Sequence, residues 1–381
     1  MQKEAIAYLH DFRPLRVGPP LAQADIAAWL KRGLTRARGG RLDAQDRRAL
    51  SLYDRFGRGG AVDSRATALA DFGRREWRAM KLFRDTADAA WDRPTLQARM
   101  AHFEKEVLRL AGRAFPPGES APDYAVQVSC TGYVSPHAIQ RLVARRAWKS
   151  RVLHIGHMGC YAAVPAAAMA AQLVRGAAAT GRPGARAAIF LAELCTLHLK
   201  PGANSDEQAV VNSLFADGSI RFDVSAAPRR RALALLDSAE ELVPGSEREM
   251  TWRLQDSSFE MGLSRAVPGL VGGAVARFAA RFLKQGGRRL SDVAHFAIHP
   301  GGPRVIEQVL KALALPPGAA PHSREILRTR GNMSSTTLPH IWDAMLADPA
   351  VRDGELILSL AFGPGLTLVA NLLRKVRGRG R

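Results

Sequence analysis

Short apolar runs alternate with segments of helical periodicity over most of the chain. The apolar runs are bounded by glycine, proline and polar residues, and they predict strands over 124–129, 186–194, 219–226, 231–239 and 293–299. Apolar residues three and four apart predict helices over 136–147, 267–287 and 303–315. Two more strands, joined by Gly363-Pro364-Gly365, follow near the end, whereas 1–120 is predicted to be mostly helical. This alternation is typical of an α/β protein whose mixed or parallel sheets are covered by helices.

Two stretches of the chain share one plan. Residues 125–143 and 295–313 each contain a short apolar strand, a polar turn with a proline, and an amphipathic helix. Repetition of one such unit indicates a duplicated α/β core. The two polar turns then lie at corresponding strand ends, which is where α/β sheets gather their chemistry.

A glycine-punctuated turn holds Cys160 just before an alanine-rich segment. Pro165 fits the first turn of the helix predicted there, because a proline at that position loses no hydrogen bond. The unpaired N–H groups and the dipole at a helix N-terminus favour a thiolate, which is the reactive form of cysteine. Free cysteine is also often simply buried. These residues alone therefore leave both a nucleophile and a structural thiol open.

Composition indicates an ordinary globular protein, with 47% hydrophobic and 24% charged residues. The three cysteines are widely spaced and indicate neither a CxxC pair nor a disulfide framework. No apolar run of about 18 residues predicts a membrane span. The first residues lack the apolar core of a signal peptide, so we expect a cytoplasmic protein.

The formal net charge of +20 is the strongest compositional signal. A basic balance favours nucleic acid, an anionic surface or acidic substrates. The basic residues are scattered, and neither a zinc-finger spacing nor an aromatic-basic string accompanies them, so we expect no nucleic-acid binding. A phosphate-bearing substrate such as coenzyme A, or an acidic carrier protein, fits this charge.

Three further turns carry candidate chemistry. His299 follows an apolar strand and precedes Pro-Gly-Gly-Pro, which places its imidazole on a turn. Asn332 opens a predicted apolar helix, a position at which asparagine is most often a cap. The loop 361–367 contains glycines that let a backbone approach a ligand closely. A structural role remains the alternative for each of these features.

Four of these segments, in this order along the chain, are "MGCYAA", "IHPGGPRVIEQV", "RGNMSS" and "FGPGLT", with "ELCTLH" and "SLFADGS" between the first two. Together they resemble the type III polyketide synthases, the chalcone synthase-like branch of the thiolase superfamily, from about residue 120 to the C-terminus. The resemblance implies a thiolase-like, duplicated five-layered αβαβα core and a homodimer. Its two halves are expected over 1–230, with the nucleophilic cysteine, and 231–381, with the catalytic histidine and asparagine.

The resemblance also implies the chemistry. By motif match, Cys160 is the nucleophile, His299 its partner and Asn332 the third catalytic group, whereas Cys130 occupies a non-catalytic position. A thiolate attacks a thioester, and decarboxylation of a malonyl unit then generates an enolate that the histidine and asparagine stabilise. Acyl-CoA and malonyl-CoA are the expected substrates, an acyl carrier protein is a further candidate partner, and no metal, flavin or nicotinamide cofactor is expected.

Less specific matches predict the substrate cavity and a coenzyme A site. The predicted cavity residues are Ser135, Cys195, His198, Phe215, Met261, Ser334, Phe362 and Gly363, and the predicted coenzyme A-binding residues are Arg55, Arg58 and Arg65. Ser135 stands where plant members often carry a methionine that reaches across the dimer, and Ala361 stands where glycine is common. The soft apolar wall residues favour a fatty acyl starter and an alkylpyrone or resorcinol-type product.

Three alternatives to a polyketide synthase remain. A single-condensation ketosynthase fed by carrier proteins also uses cysteine, histidine and asparagine, but its asparagine usually lies in a second histidine-containing turn. A thiolase needs a second catalytic cysteine late in the chain, and the last cysteine here is Cys195. A non-enzymatic basic binding protein leaves the order of the four segments unexplained.

Overall fold

The computed structural model describes residues 6–83 and 94–377. Its strands are β1 (Ala7–Leu15), β2 (Pro20–Ala22), β3 (Ser64–Ala66), β4 (Tyr124–Ser129), β5 (Arg151–Gly156), β6 (Arg186–Leu194), β7 (Asp217–Ser225), β8 (Ala232–Leu242), β9 (Met250–Leu254), β10 (Phe259–Leu263), β11 (His295–Ile298), β12 (Leu356–Gly363) and β13 (Thr367–Val376). Its α-helices are α1 (Gln23–Ala37), α2 (Ala44–Gly57), α3 (Leu96–Ala114), α4 (Ala138–Arg145), α5 (Ala163–Ala179), α6 (Asp206–Leu214), α7 (Val267–Gln285), α8 (Pro303–Ala312), α9 (Pro321–Arg330) and α10 (Thr337–Ala347).

The duplication predicted from the sequence appears in the strand order. Nine strands form one sheet in the order β11-β12-β13-β8-β1-β7-β6-β4-β5. On one side, β4 and β6 pair parallel, and β6, β7 and β1 pair antiparallel. On the other side, β11 and β12 pair parallel, and β12, β13 and β8 pair antiparallel. The two sets meet where β1 pairs antiparallel with β8.

Five layers result from how the faces of this sheet are covered. Ile189 and Leu191 of β6 face a core shared with α5 and α10, whereas Phe190 faces a separate core with α3. Helix α5 packs on strands of both sets, and so does α10, which makes them the middle layer. The other face of β12 packs against α7 and α8. The predicted fold class is confirmed.

The structure differs from the sequence prediction mainly near the N-terminus. Strand β1 lies in the middle of the sheet, although 1–120 was predicted to be mostly helical. Its pattern is hard to recognise because a β-bulge between His10 and Arg13 interrupts the alternation. Strand β5 and the separate hairpin β9–β10 were also missed, since an edge strand and a partly exposed hairpin lack a continuous apolar run.

The connection between β7 and β8 is the point at which the strand pattern begins again. This position supports the division of the chain at residue 230, which stays a prediction. Helices α4 and α8 are shorter than predicted, with α4 beginning after Pro136 and α8 ending at Ala312. None of the helices in the described ranges combines the length and apolar character of a membrane span.

Replacing Leu9 by alanine tests the junction between the two sets of strands. Leu9 is fully buried and lies opposite both Val224 and Leu233. We expect a loss of about 2–5 kcal/mol in the free energy of unfolding, measured with urea, because a buried cavity is left. Leu242→Ala, a matched change at a residue that is 61% exposed in β8, should cost less than about 1 kcal/mol. Equal losses in the two variants would contradict the proposed burial.

Candidate active site

Cys160 lies on the turn between β5 and α5, three residues before the helix begins at Ala163. The turn requires Gly159, whose φ is +87°. A Cβ at Gly159 would also lie 2.6 Å from Cδ of Pro364, in the loop between β12 and β13. The thiol is therefore held where the turn of one half of the fold touches a loop of the other, and it is buried.

Asn332 reaches this thiol from the other half of the fold. Its backbone is fixed by a parallel bridge to the segment after α6, in which Asn332 N–H donates to Leu214 O (2.9 Å) and Ala216 N–H donates to Asn332 O (2.8 Å). Its amide Nδ2 donates to Gly301 O (3.3 Å), and its Oδ1 accepts from Ser334 N–H (2.9 Å). One carboxamide thus connects the turn after β11 with the loop under Cys160.

Burial raises the pKa of the Cys160 thiol to about 12. Hydrogen bonds from Ser334 and Asn332 act in the opposite direction, and the nearby Glu193 carboxylate adds to the rise. At neutral pH the thiol is protonated. Desolvation thus opposes the thiolate that a helix N-terminus favours, and it outweighs the donors that stabilise the charged form.

His299 follows β11, where its N–H donates to Leu360 O (2.8 Å). Its ring is buried, and neither ring nitrogen has a hydrogen-bond partner among the described residues. Burial lowers the pKa of this imidazole to about 3, so the ring is neutral at physiological pH. A buried imidazole with two free nitrogens can accept a proton at one and donate at the other once a substrate is present.

A second thiol, Cys130, lies beside the site. Its Sγ is 3.1 Å from Ser334 Oγ, the hydroxyl that also forms a hydrogen bond with Cys160. Its backbone N–H donates to the buried Glu193 carboxylate (3.0 Å), which also accepts from the hydroxyls of Thr131 (2.8 Å) and Ser335. Burial raises the pKa of both Glu193 and the Cys130 thiol.

A solvent-connected cavity lies beside Cys160. It contains five of the predicted cavity residues, whereas His299 and Asn332 do not line it. Its lining consists of Cys130, Thr131, Gly159, Cys160, Cys195, His198, Leu199, Gln208, Val211, Phe215, Met250, Trp252, Phe259, Met261, Ser334 and Pro364. Within the residues that the structure describes, no group of three or more His, Cys, Asp or Glu side chains is arranged to hold a metal ion.

The hairpin β9–β10 forms one wall of this cavity. Trp252 Nε1 donates to Cys130 O (2.6 Å), and Phe259 N–H donates to His198 Nδ1 (3.0 Å). The assigned tautomer of His198 then donates from Nε2 to Thr131 O (2.8 Å). Burial lowers the pKa of His198 to about 3, so this wall residue is a neutral connector between the hairpin and the sheet.

Three predicted cavity residues lie elsewhere. Ser135 is exposed and does not line the cavity of its own chain. Phe362 points into the outer core against α7 and α8, because alternate residues of β12 face opposite sides of the sheet. Gly363 ends β12, and a Cβ there would lie 2.1 Å from Cδ1 of Tyr161. Gly363 therefore makes room for the residue next to Cys160 rather than for a substrate.

The three arginines predicted to bind coenzyme A separate into two environments. Arg55 and Arg58 are exposed on and just after α2 and share a surface groove with Arg47. Arg65 is only 2% exposed and binds backbone carbonyls, so it has no free surface for a phosphate. The position of Arg65 close to Arg55 and Arg58 in the sequence could not show that the Arg65 side chain, which belongs to β3, is buried.

Sequence reasoning missed Glu193, Thr131 and Trp252. Glu193 carried a visible signal, because an acidic residue at the end of a continuous apolar strand must find buried donors. Thr131 and Trp252 carried no such signal. Thr131 acts through its hydroxyl in a turn, and Trp252 belongs to the hairpin β9–β10, which the apolar pattern did not predict.

Comparison with known proteins places these features in a family. Residues 234–377 match the family model described as "Chalcone and stilbene synthases, C-terminal domain". The chain is 30% identical over 307 residues to the bisdemethoxycurcumin synthase of rice, and the matched region covers 74% of each protein.

Two further comparisons extend the similarity. The chain is 28% identical over 264 residues to "Alpha-pyrone synthesis polyketide synthase-like Pks18" of Mycobacterium tuberculosis; the match covers 66% of the chain and spans 65% of the length of that relative. The fold matches the type III polyketide synthase domain of Steely1 from Dictyostelium with a TM-score of 0.82, at 20% identity, over 97% of this chain and 99% of that one.

The raised pKa of Cys160 predicts how its alkylation depends on pH. Below a pKa of about 12 the thiolate fraction grows about tenfold per pH unit, so the rate of reaction with iodoacetamide should rise without a plateau between pH 6 and pH 10. Peptide mass spectrometry resolves this rate from those of the other thiols. His299→Gln should give the same profile, since a neutral ring does not hold a thiolate. A plateau below pH 8 that disappears in His299→Gln would show an imidazolium-held thiolate instead.

Proposed function

The chain belongs to the chalcone and stilbene synthase family of type III polyketide synthases, and on that premise we propose that it condenses an acyl-CoA starter with malonyl-CoA. The observation that carries this proposal is the convergence of Asn332 and Ser334 on the Cys160 thiol at the base of a largely apolar cavity. A thiol that two donors can reach, in an apolar pocket, suits the formation of an acyl-enzyme.

The first step loads the starter. Cys160 Sγ attacks the thioester carbonyl while its proton passes to the neutral imidazole of His299. The bond from the carbonyl carbon to the coenzyme A sulfur then breaks, and the imidazolium returns the proton to the departing thiolate. The exchange begins from a neutral thiol and a neutral imidazole, because burial disfavours the thiolate of Cys160 and the imidazolium of His299 before substrate binds.

The second step uses malonyl-CoA. Its carboxylate leaves as CO₂, and the electron pair of the broken bond becomes an enolate whose oxygen accepts from the Asn332 amide and from an N–H of His299. The enolate carbon attacks the carbonyl of the acyl group on Cys160, the bond from that carbonyl carbon to Sγ breaks, and the released thiolate takes up a proton from solvent. A preorganised donor of this kind contributes about 100- to 1,000-fold in rate.

The starter is proposed to be a medium or long acyl chain, and the product an alkylpyrone or resorcinol-type compound. Cys195 and Met261 are polarisable, adaptable wall residues, and neutral His198 adds no charge to the cavity. The name of the mycobacterial relative refers to alpha-pyrone synthesis, which supports lactonisation of the extended chain.

Exposed Arg55 and Arg58 are proposed to contact the phosphates of coenzyme A. The protein is also proposed to be a homodimer and to be located in the cytoplasm. The groove of the two arginines also contains Arg47, so three guanidinium groups lie on one face of α2 and its C-terminal end. The same surface suits an acidic carrier protein, which is the delivery route of the alternative function, a single-condensation ketosynthase.

Cys160→Ala tests the assignment of the nucleophile. We expect it to abolish both acyl-enzyme formation, seen by intact-protein mass spectrometry, and product formation from malonyl-CoA and an acyl-CoA. Cys130→Ala should retain acylation at Cys160. Acylation of Cys130 in the unmodified chain would contradict the assignment, and activity only with carrier-protein substrates would favour the ketosynthase.

Cys195→Trp tests the choice of starter. Cys195 packs with Cys160, Val211 and Phe215 at the base of the cavity, so a bulky indole there should exclude long chains. We expect the ratio of kcat/KM for palmitoyl-CoA over that for acetyl-CoA to fall at least tenfold, while near-isosteric Cys195→Ser changes it little. A native preference for acetyl- or benzoyl-CoA would refute the alkyl starter and leave the catalytic trio in place.

A further inference from the structure

Arg65 is a buried arginine whose contacts all lead toward the candidate site. It belongs to β3, which pairs with β2 in a small two-stranded sheet outside the central one. Its Nη1 donates to Asn212 O (2.9 Å) and to Phe215 O (2.5 Å). Its Nε donates to the side chain of Gln23 (2.8 Å), whose amide in turn donates to Ser213 O (2.8 Å). Three carbonyls within the segment 212–215 are thus bound by one arginine–glutamine pair.

This segment is the one that pairs with Asn332. The backbone of 214–216 holds Asn332 through the two hydrogen bonds of the parallel bridge. The strand that carries Arg65 also binds the chain before Asn332, because Ser64 Oγ donates to Thr329 O (2.8 Å). Both partners of the bridge are therefore attached to β3.

Close packing makes this arrangement specific for an extended arginine side chain. Gly331, with φ of +73°, leaves room for it, since a Cβ at that residue would lie 2.9 Å from both Cγ and Cδ of Arg65. Burial lowers the pKa of Arg65 to about 9, which still leaves it charged at neutral pH, and buried Asp217 favours that charge. The planar guanidinium of arginine can donate hydrogen bonds to several carbonyls in fixed directions, whereas the ammonium of lysine donates from a single nitrogen.

We propose that Arg65 is a positioning residue that sets the backbone pairing of Phe215 with Asn332, and thereby directs the Asn332 carboxamide at Cys160. The same contacts fix Phe215, a wall residue of the cavity. The catalytic part of this inference rests on the proposed function, whereas the backbone part does not.

Hydrogen exchange tests the backbone part. In Arg65→Lys, the amides of Ala216 and Asn332 should exchange at least tenfold faster, because the bridge that protects them is loosened. Arg221→Lys is the matched control: Arg221 is fully buried too, but it contacts Ala114, Asp223 and Glu119, away from the site. It should leave exchange in the peptides covering 212–217 and 330–335 unchanged. Equal acceleration in the two variants, or none in Arg65→Lys, would overturn the proposal.

Gln23→Met provides a second variant should Arg65→Lys fail to fold. It retains Arg65 but removes the acceptor of Nε and the donor to Ser213 O. Faster exchange at the same two peptides is expected, to a smaller extent than in Arg65→Lys. Unchanged exchange in this variant would contradict the role of the arginine–glutamine pair.

Two half-reactions test the catalytic part. Arg65→Lys should slow decarboxylation of malonyl-CoA at least tenfold in kcat with KM within threefold, while the rate of Cys160 acylation stays within threefold. A parallel loss of both half-reactions would indicate a merely structural role and overturn the catalytic part. If the unmodified chain performs neither half-reaction, the proposed function fails, and the exchange experiment still decides whether Arg65 positions the bridge.

Discussion

The site depends on one buried carboxylate, that of Glu193 at the end of β6. It accepts hydrogen bonds from Ser129, Thr131 and Ser335 and from the backbone N–H of Cys130, and these donors come from both halves of the fold. A buried carboxylate without such donors costs several kcal/mol, so the strand ends and the loop 334–335 must close around it. Its charge also contributes to the raised pKa of all three thiols. One group therefore orders the loops under the cavity and adds to burial, the larger cause, in raising the pKa of the Cys160 thiol.

The duplicated fold explains why Cys160 and Asn332 lie together without being near in sequence. Cys160 follows β5 in one set of strands, whereas His299 follows β11 and Asn332 precedes α10 in the other. Helices α5 and α10 share the middle layer, so the turns that lead into them meet at the same end of the molecule. The pairing of β1 with β8 joins the two sets of strands in one sheet. The chemistry is thus placed by strand order, as is general at strand ends of α/β sheets.

Local patterns revealed the parts of this structure that short segments encode. The strands β4, β6 and β11 are continuous apolar runs, and the glycines around Cys160 and Asn332 signal turns that only small residues permit. Strand β1 and the hairpin β9–β10 were not recognised, because their burial is decided by partners distant in sequence. Phe362 and Arg65 were misplaced for the same reason: a motif gives the neighbourhood of a side chain, whereas the face of the strand decides where it points.

The buried arginines account for part of the large positive charge. Arg65, Arg99 and Arg221 are at most 2% exposed, and each donates to at least one backbone carbonyl. A carbonyl partner satisfies a guanidinium without an acidic residue, so every arginine used in this way adds to the net charge of the chain. Arg221 also forms ion pairs with Glu119 and Asp223. Some of the charge of +20 therefore belongs to buried arginines that connect loops to strands. Part of the remainder is on the surface, where Arg47, Arg55 and Arg58 line one groove.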